Sequence, residues 1–262
     1  MKIQCLVENT KYNKLKPKHG LCFYIETKKH KILFDLGPND LFIKNAQLLN
    51  IDISKIDTVI ISHGHVDHGG GLESFFKINN IAKIYVQKNA FDKFYTKVLF
   101  FNAYIGLDLS LKNNKQIVFV DNDYVIDEEL SLWTAKGNEL PSPFNRALLK
   151  DNNNLDDFTH EHSLLIKENK NVLFTGCSHH GVFSILEAVQ EKVDVQIGGF
   201  HLCNPVLKKY PKGKYLEEFN KKLKNYDNLF YTCHCTGLKP FMYLSKDNEN
   251  VKYFHCGMSL EL

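Results

Sequence analysis

The run Ser62-His63-Gly64-His65-Val66-Asp67-His68-Gly69-Gly70 constrains this chain more than any other feature. Three imidazoles and a carboxylate crowd into positions 63–68, directly after 58–62, a short apolar segment of the kind that forms a strand buried on both faces. Imidazole nitrogen and carboxylate oxygen are the donors that Zn²⁺ and related divalent ions prefer. On an extended backbone His63 and His65 project to the same side, because the side-chain period of a strand is two. Asp67 and His68 follow in a turn that can carry them to a second position, and the flanking glycines permit a tight path without Cβ clashes. A sheet provides rigid support and the loop at its end provides the ligands. Any fold this chain adopts must bring further donors to that loop.

The rest of the sequence suggests where they lie. Segment 3–8 reads as a strand, and 21–27 with 31–36 as a hairpin turning at Lys28-Lys29-His30. Gly37-Pro38 stops the hairpin, and Asp40 caps a helix to about residue 50. A short helix at 71–78 and a strand at 82–87 follow the histidine run. After His160, strands are expected at 163–167, 171–175, 195–198, 229–232 and 251–254, with helices at 182–192, 216–226 and 237–246. Many of the twelve histidines fall where such strands end. The region at about 89–154 is less regular, with Phe91, Phe94, Tyr95, Phe100, Phe101, Tyr104 and the single tryptophan, Trp133. A strand is expected there at 116–120 and a loop at 137–154, the whole being a small inserted subdomain or a lid within one domain spanning 1–262. Strands open the chain and a βαβ alternation closes it, so the expected class is α/β (α+β), two sheets with helices outside.

Composition excludes several classes. Hydrophobic residues make up 44% of the 262, enough for a core and too many for a disordered chain. Lys and Arg number 33 against 30 Asp and Glu, a formal charge of +3 that gives no reason to expect nucleic acid. Lys208, Lys209, Lys212 and Lys214 form only a short basic cluster, read as a solvated loop or a phosphate contact. No window approaches the ~20 apolar residues that span a bilayer, and the first residues lack the apolar stretch of a signal peptide, so a soluble cytoplasmic protein is expected. Seven cysteines without regular spacing do not read as a disulfide framework, and Cys5 and Cys22 read as buried apolar groups.

Ser62 to Gly70 resembles the HxHxDH signature of the metallo-β-lactamase superfamily, and Lys31-Ile32-Leu33-Phe34-Asp35-Leu36-Gly37 resembles that superfamily's early strand ending in Asp-x-Gly. Thr175-Gly176-Cys177-Ser178-His179-His180-Gly181, Gly198-Gly199-Phe200-His201-Leu202, Cys233-His234-Cys235-Thr236-Gly237 and His19-Gly20-Leu21 resemble one branch of it. That branch is named for likeness to 7,8-dihydropteroate synthase and for a dihydropterin-methyl-ribofuranosylaminobenzene-phosphate synthase, and its members are mostly labelled metal-dependent hydrolases. The resemblance implies an αββα sandwich with two divalent metal ions at one edge between the sheets, zinc first, with iron or manganese as alternatives. It implies His63, His65, Asp67, His68, His179 and His234 as ligands, with Asp67 also catalytic by orienting a bridging hydroxide. Cys177 stands where many members carry a metal-bridging Asp, so it is either a thiolate ligand or a buried thiol whose place His179 takes. His201 ends a strand and rivals His234. His180 is expected to point away, His160 and His162 to support the ligands, and His19, His30 and His255 to be structural or exposed.

The reaction implied is hydrolysis of a small molecule by a metal-bound hydroxide, with a phosphorylated or pterin-like substrate stacking on the aromatic middle segment. One alternative is a pterin-related synthase in which a metal binds a diphosphate leaving group, which requires two organic substrates. Another is a non-catalytic metal- or redox-sensing protein built on Cys177, Cys233 and Cys235. A nuclease, as in a further branch, is disfavoured by the near-neutral charge. Exposed aromatics in the middle segment would suit a homodimer contact.

Overall fold

The protein is described by a computed structural model covering residues 1–151, 153–204 and 209–262. Strand alternation explains its layers. In Cys22–Glu26 and Lys31–Phe34, Phe23, Ile25, Ile32 and Phe34 point to one side, while Cys22, Tyr24 and Leu33 point to the other. In Ser163–Lys167, Leu164 and Ile166 face that same central layer and Leu165 faces away. A strand apolar on both faces must be covered on both, so each sheet packs on its neighbour and on helices.

The first sheet runs, in spatial order, Ser259–Glu261, Lys2–Val7, Cys22–Glu26, Lys31–Phe34, Thr58–Ile60, Lys83–Gln87 and Ile117–Val120. The second runs Val251–Tyr253, Leu229–Thr232, Val195–Gly198, Asn171–Phe174, Ser163–Lys167, Leu130–Trp133 and Tyr124–Val125. Between them Phe174 meets Phe23 and Phe34, with ring centroids 6.0 and 5.7 Å apart. Each such ring adds roughly 1.5–3 kcal/mol of burial. Helix Leu41–Leu48 lays Phe42 and Ala46 on the outside of the first sheet. Val182–Ala188, Lys214–Leu223 and Leu238–Ser245 cover the second, the middle one through Leu216, Phe219 and Leu223 at helical spacing. This is the expected αββα sandwich. Among the described residues no helix is long and apolar enough to cross a membrane.

The middle of the chain departs from the expectation of one insertion at about 89–154. Ile117–Val120 pairs in parallel with Lys83–Gln87, and Leu130–Trp133 pairs with Ser163–Lys167, so both lie in the main sheets. Their apolar residues are best buried there. What remains, Phe94–Val98, Phe101–Tyr104, Leu148–Lys150 and Asn154–Leu155, forms a separate four-stranded sheet. The expected loop at 137–154 thus contains a 3₁₀ turn, Pro143–Ala147, and two strands. Helix 182–192 is shorter than expected, ending at Ala188. Lys208 of the basic cluster lies outside the described residues.

From Lys31–Phe34 to Thr58–Ile60, and from Asn171–Phe174 through Val251–Tyr253, neighbouring strands are parallel. The histidine- and cysteine-bearing loops follow the carboxyl ends of these strands. A parallel sheet gathers such loops at one edge.

Candidate metal centre

The histidine run is shaped from below. Asp35, fully buried just past its strand, accepts Ser62 N at 2.7 Å on Oδ1 and Ser62 Oγ at 2.8 Å on Oδ2. The chain then turns into the short helix Val66–Gly69, which carries Asp67 and His68 and sets the His68 ring 4.1 Å from that of His63 between centroids. From the second sheet, Gly176 approaches so closely that a Cβ there would lie 2.2 Å from Ser62 Oγ, so only glycine fits. Asp35, Ser178, His201 and His234 all adopt φ between 49° and 59° without being glycine. Each costs on the order of 1 kcal/mol locally, tolerated where surrounding bonds over-determine the loop. Glu161 receives the amides of His179 and His180 at 2.7 and 3.0 Å. Buried Glu8 does the same for His234 N at 2.8 Å, while also accepting Tyr253 Oη and Thr10.

Two donor clusters result. In the first, one ring nitrogen from each of His63, His65 and His179 lies within 4.8 Å of the others. The Nε2 atoms of all three are buried with no hydrogen-bond partner among the described residues, although Asp156 Oδ2 stands 3.7 Å from His65 Nε2. In the second, His234 Nε2 lies 3.2 Å from His68 Nε2 and 3.3 Å from an Asp67 oxygen, with Cys177 Sγ 3.4 Å from His68 Nε2. Cys177 groups with His63 and His68 on one side and with His179 and His201 on the other, which places it between the clusters.

The other ring nitrogens of His63, His68, His179 and His234 are occupied. Nδ1 of His63 meets Ser62 Oγ at 2.9 Å, of His68 an Asp35 oxygen at 2.6 Å, of His179 Asn145 Oδ1 at 3.1 Å, and of His234 Asn9 Oδ1 at 3.0 Å. Ser62 Oγ already donates to Asp35, so it accepts from His63. His63, His179 and His234 therefore carry their proton on Nδ1 and turn a lone pair inward, the arrangement typical of metal-binding histidines, whereas His68, facing Asp35 on one nitrogen and Asp67 on the other, would give up its Nε2 proton on binding a metal. Burial, and then the neighbouring imidazoles, hold His63 and His179 well below the usual histidine pKa, keeping them neutral. Burial also opposes charge on His68, but Asp35 and Asp67 outweigh it and push the pKa up to about 9. For Asp67, burial is outweighed by His68, His19 and His234, which hold the carboxyl well below its ordinary range. Unpartnered buried acceptors cost about 1–3 kcal/mol each. Three that converge, beside an ionised carboxylate, fit divalent cations.

The structure brings together His63, His65, Asp67, His68, Cys177, His179 and His234, with the His201 ring tilted against that of His179 at 4.4 Å between centroids. His180 turns its ring to the carbonyls of Gly137 and Phe158. His160 accepts Gly64 N and faces Asp156, and His162 binds the carbonyl of Ile61. His19, expected to be structural or exposed, is exposed, and its Nε2 lies 3.2 Å from Asp67 while its ring packs on that of His234. Cys233 is buried in the layer between the sheets, away from the cluster, whereas Cys235 borders the cavity. Sequence reasoning missed Glu8, Asn9, Asn145 and Glu161, whose partners are distant in the chain.

A cavity of about 450 Å³ opens on both clusters. Opposite the histidines its wall is Val66, Ile105, Phe144, Ala147 and Leu148, with Thr96 and Lys97 from the small sheet. Lys97 is the one lysine or arginine among the described residues that line it.

A family model described as the metallo-beta-lactamase superfamily matches residues 15–189. An uncharacterized protein of Methanocaldococcus jannaschii is 30% identical across 97% of this chain and 98% of its own. The 7,8-dihydropterin-6-methyl-4-(beta-D-ribofuranosyl)-aminobenzene-5'-phosphate synthase of the same organism is 29% identical across 91% of this chain and 88% of its own. Among solved structures, Tm1679, a metal-dependent hydrolase of the beta-lactamase superfamily, matches with a TM-score of 0.80 at 27% identity, over 100% of this chain and 99% of that one. With the αββα layers and the donor-bearing edge, these matches lead to one conclusion: the chain belongs to the metallo-β-lactamase superfamily.

Proposed function

We propose that the protein is a metal-dependent hydrolase acting on a small molecule held in the cavity beside the two donor clusters. The observation that carries this is the inward convergence of His63, His65 and His179 nitrogens next to Asp67, His68 and His234, four of which, His65, Asp67, His179 and His234, line one cavity. The first three residues would hold one ion, the second three another, and Cys177 would reach either. Imidazole, carboxylate and thiol together favour zinc, with iron next and manganese least suited to the thiol. Two divalent ions bound there supply an activated water and a Lewis acid at neutral pH.

The chain's own residues do the rest. Asp67, kept ionised, orients the nucleophilic water through its carboxylate, and His19 steadies that carboxylate from the cavity side. The apolar wall holds the body of the substrate and excludes bulk water. Lys97 offers a positive charge to an anionic substituent, which supports a phosphorylated or otherwise anionic substrate. The pterin-phosphate synthase named among the relatives supports a pterin-like body.

That relative also favours a second reading, bond formation between two organic substrates with release of diphosphate. Metal analysis and product mass spectrometry separate the two. The purified protein should carry about two zinc, iron or manganese ions per chain, and reaction in ¹⁸O-water should place the label in the product of a single substrate. Turnover that requires two organic substrates and leaves the label in solvent would favour the synthase. Lys97→Met should raise KM for anionic substrates about 10-fold or more, as loss of a charge-assisted bond predicts, and leave neutral ones unchanged. Equal effects on both would remove the anionic substituent from the proposal.

A further inference from the structure

Two of the metal-facing histidines are held in the same way by unrelated parts of the chain. His179 and His234 follow different strands of the second sheet, Asn171–Phe174 and Leu229–Thr232. The amide of His179 is bound by Glu161 and that of His234 by Glu8. An asparagine then grips each histidine at two further points. Asn145 Nδ2 donates to the His179 carbonyl at 2.7 Å while its Oδ1 faces His179 Nδ1 at 3.1 Å. Asn9 Nδ2 donates to the His234 carbonyl at 3.0 Å while its Oδ1 faces His234 Nδ1, also at 3.0 Å. A carbonyl only accepts, so the first bond fixes which end of the amide is nitrogen, and the ring nitrogen facing the amide oxygen must be the donor. Each asparagine therefore sets both the tilt of a ring and its tautomer, leaving Nε2 as the inward lone pair.

The two grips serve different clusters. His179 completes the set with His63 and His65, whereas His234 completes the set with Asp67. By contrast, His63 and His68 lean on a shared Ser62–Asp35 pair, so a change there would disturb both clusters at once. We propose that Asn145 and Asn9 are positioning residues, one for each metal position, so that the two affinities are set separately. Asn145 lies in the 3₁₀ turn Pro143–Ala147, whose Phe144 and Ala147 line the cavity. The position served by His179 is thus the one joined to the substrate wall, while Asn9 follows the first strand on the other side.

The inference rests on the two-metal reading, and its test separates the two. Zn²⁺ is titrated against a competing chelator into the metal-stripped full-length protein, and ¹⁵N imidazole spectra of the same metal-free samples report the tautomers of His179 and His234. In the wild type, two binding steps and two Nδ1-protonated rings are expected. Asn145→Leu should weaken one step by about 10–100-fold, the range seen when a partner of a ligand is removed, and release the tautomer of His179 alone. Asn9→Leu should weaken the other step and release His234 alone. Asn→Asp at either place keeps the acceptor for Nδ1 but loses the donor to the carbonyl, so it should restore the tautomer and only part of the affinity. Unfolding midpoints of the metal-free variants control for general damage. Two wild-type steps that neither variant moves, or that either variant moves equally, would overturn the separate positioning. Fixed tautomers in a wild type that binds no zinc would uphold the grips and sink the two-metal reading, and mobile tautomers in the wild type would refute the grips themselves.

Discussion

Asp67 is faced by His19, His68 and His234, all within 3.8 Å of one oxygen. Removing it leaves His19 and His234 without their carboxylate partner, while His68 keeps Asp35. Asp67→Ala should therefore lose about one metal per chain and lower turnover by more than about 100-fold, with the circular dichroism unchanged. Full metal content with full turnover would rule out its proposed role. Cys177 supplies the sulfur between the clusters, and Cys177→Ser should shift preference from zinc toward manganese, read in competition between the two ions. Unchanged preference would return it to a packed thiol. The run from His63 to His68 was legible because its members are contiguous, and His179 and His234 because strands visibly stop at them. His19 was not, since its partner Asp67 reaches it only through the register of the first sheet. Asn9 and Asn145 carry no local signal at all, because an asparagine in a loop usually caps or turns its own backbone.

Among elements, the hairpin turn at His30 ties the sheets together at the edge opposite the donor-bearing loops. His30 meets Asp57, which precedes a strand of the first sheet, at 2.9 Å, and Asp127, which precedes a strand of the second, at 2.7 Å. Glu129 lies 3.9 Å away. Burial works against charge on His30, but the two aspartates outweigh it and raise its pKa. A raised histidine contributes its stability fully below its unfolded value, near ~6.5, and loses it as pH rises through the folded value. These groups are partly exposed, so the contribution is about 1 kcal/mol or less. Wild type should exceed His30→Ala in urea midpoint at pH 5.5, and the gap should narrow by pH 9. A gap that widens with pH would contradict the pairing. The outer strands and amphipathic helices could be read from their apolar spacing, whereas the middle segment could not. Its short strands, such as Tyr124–Val125 and Asn154–Leu155, are too brief to show a period, and partners far along the chain decide their sheet.

Over the whole molecule, His63, His65, Asp67 and His68 rise from the first sheet, and Cys177, His179 and His234 from the second. Ions held by both halves would bind the folded state far more tightly than the unfolded chain, so chelation should lower the thermal midpoint. Free ion at about 100 times its dissociation constant adds roughly 2.7 kcal/mol. A midpoint indifferent to chelator would mean that the donors do not bridge the sheets. The same division bears on the order of assembly. Neither half of the chain owns a complete set of donors, so no ion can template the folding of either half. Strand pairing and the docking of Phe23 and Phe34 on Phe174 must come first. On the two-metal proposal, metal would then act as a late fastener, and a nascent chain that has emerged only as far as His68 would have a weak, exchangeable grip on whatever ion it meets.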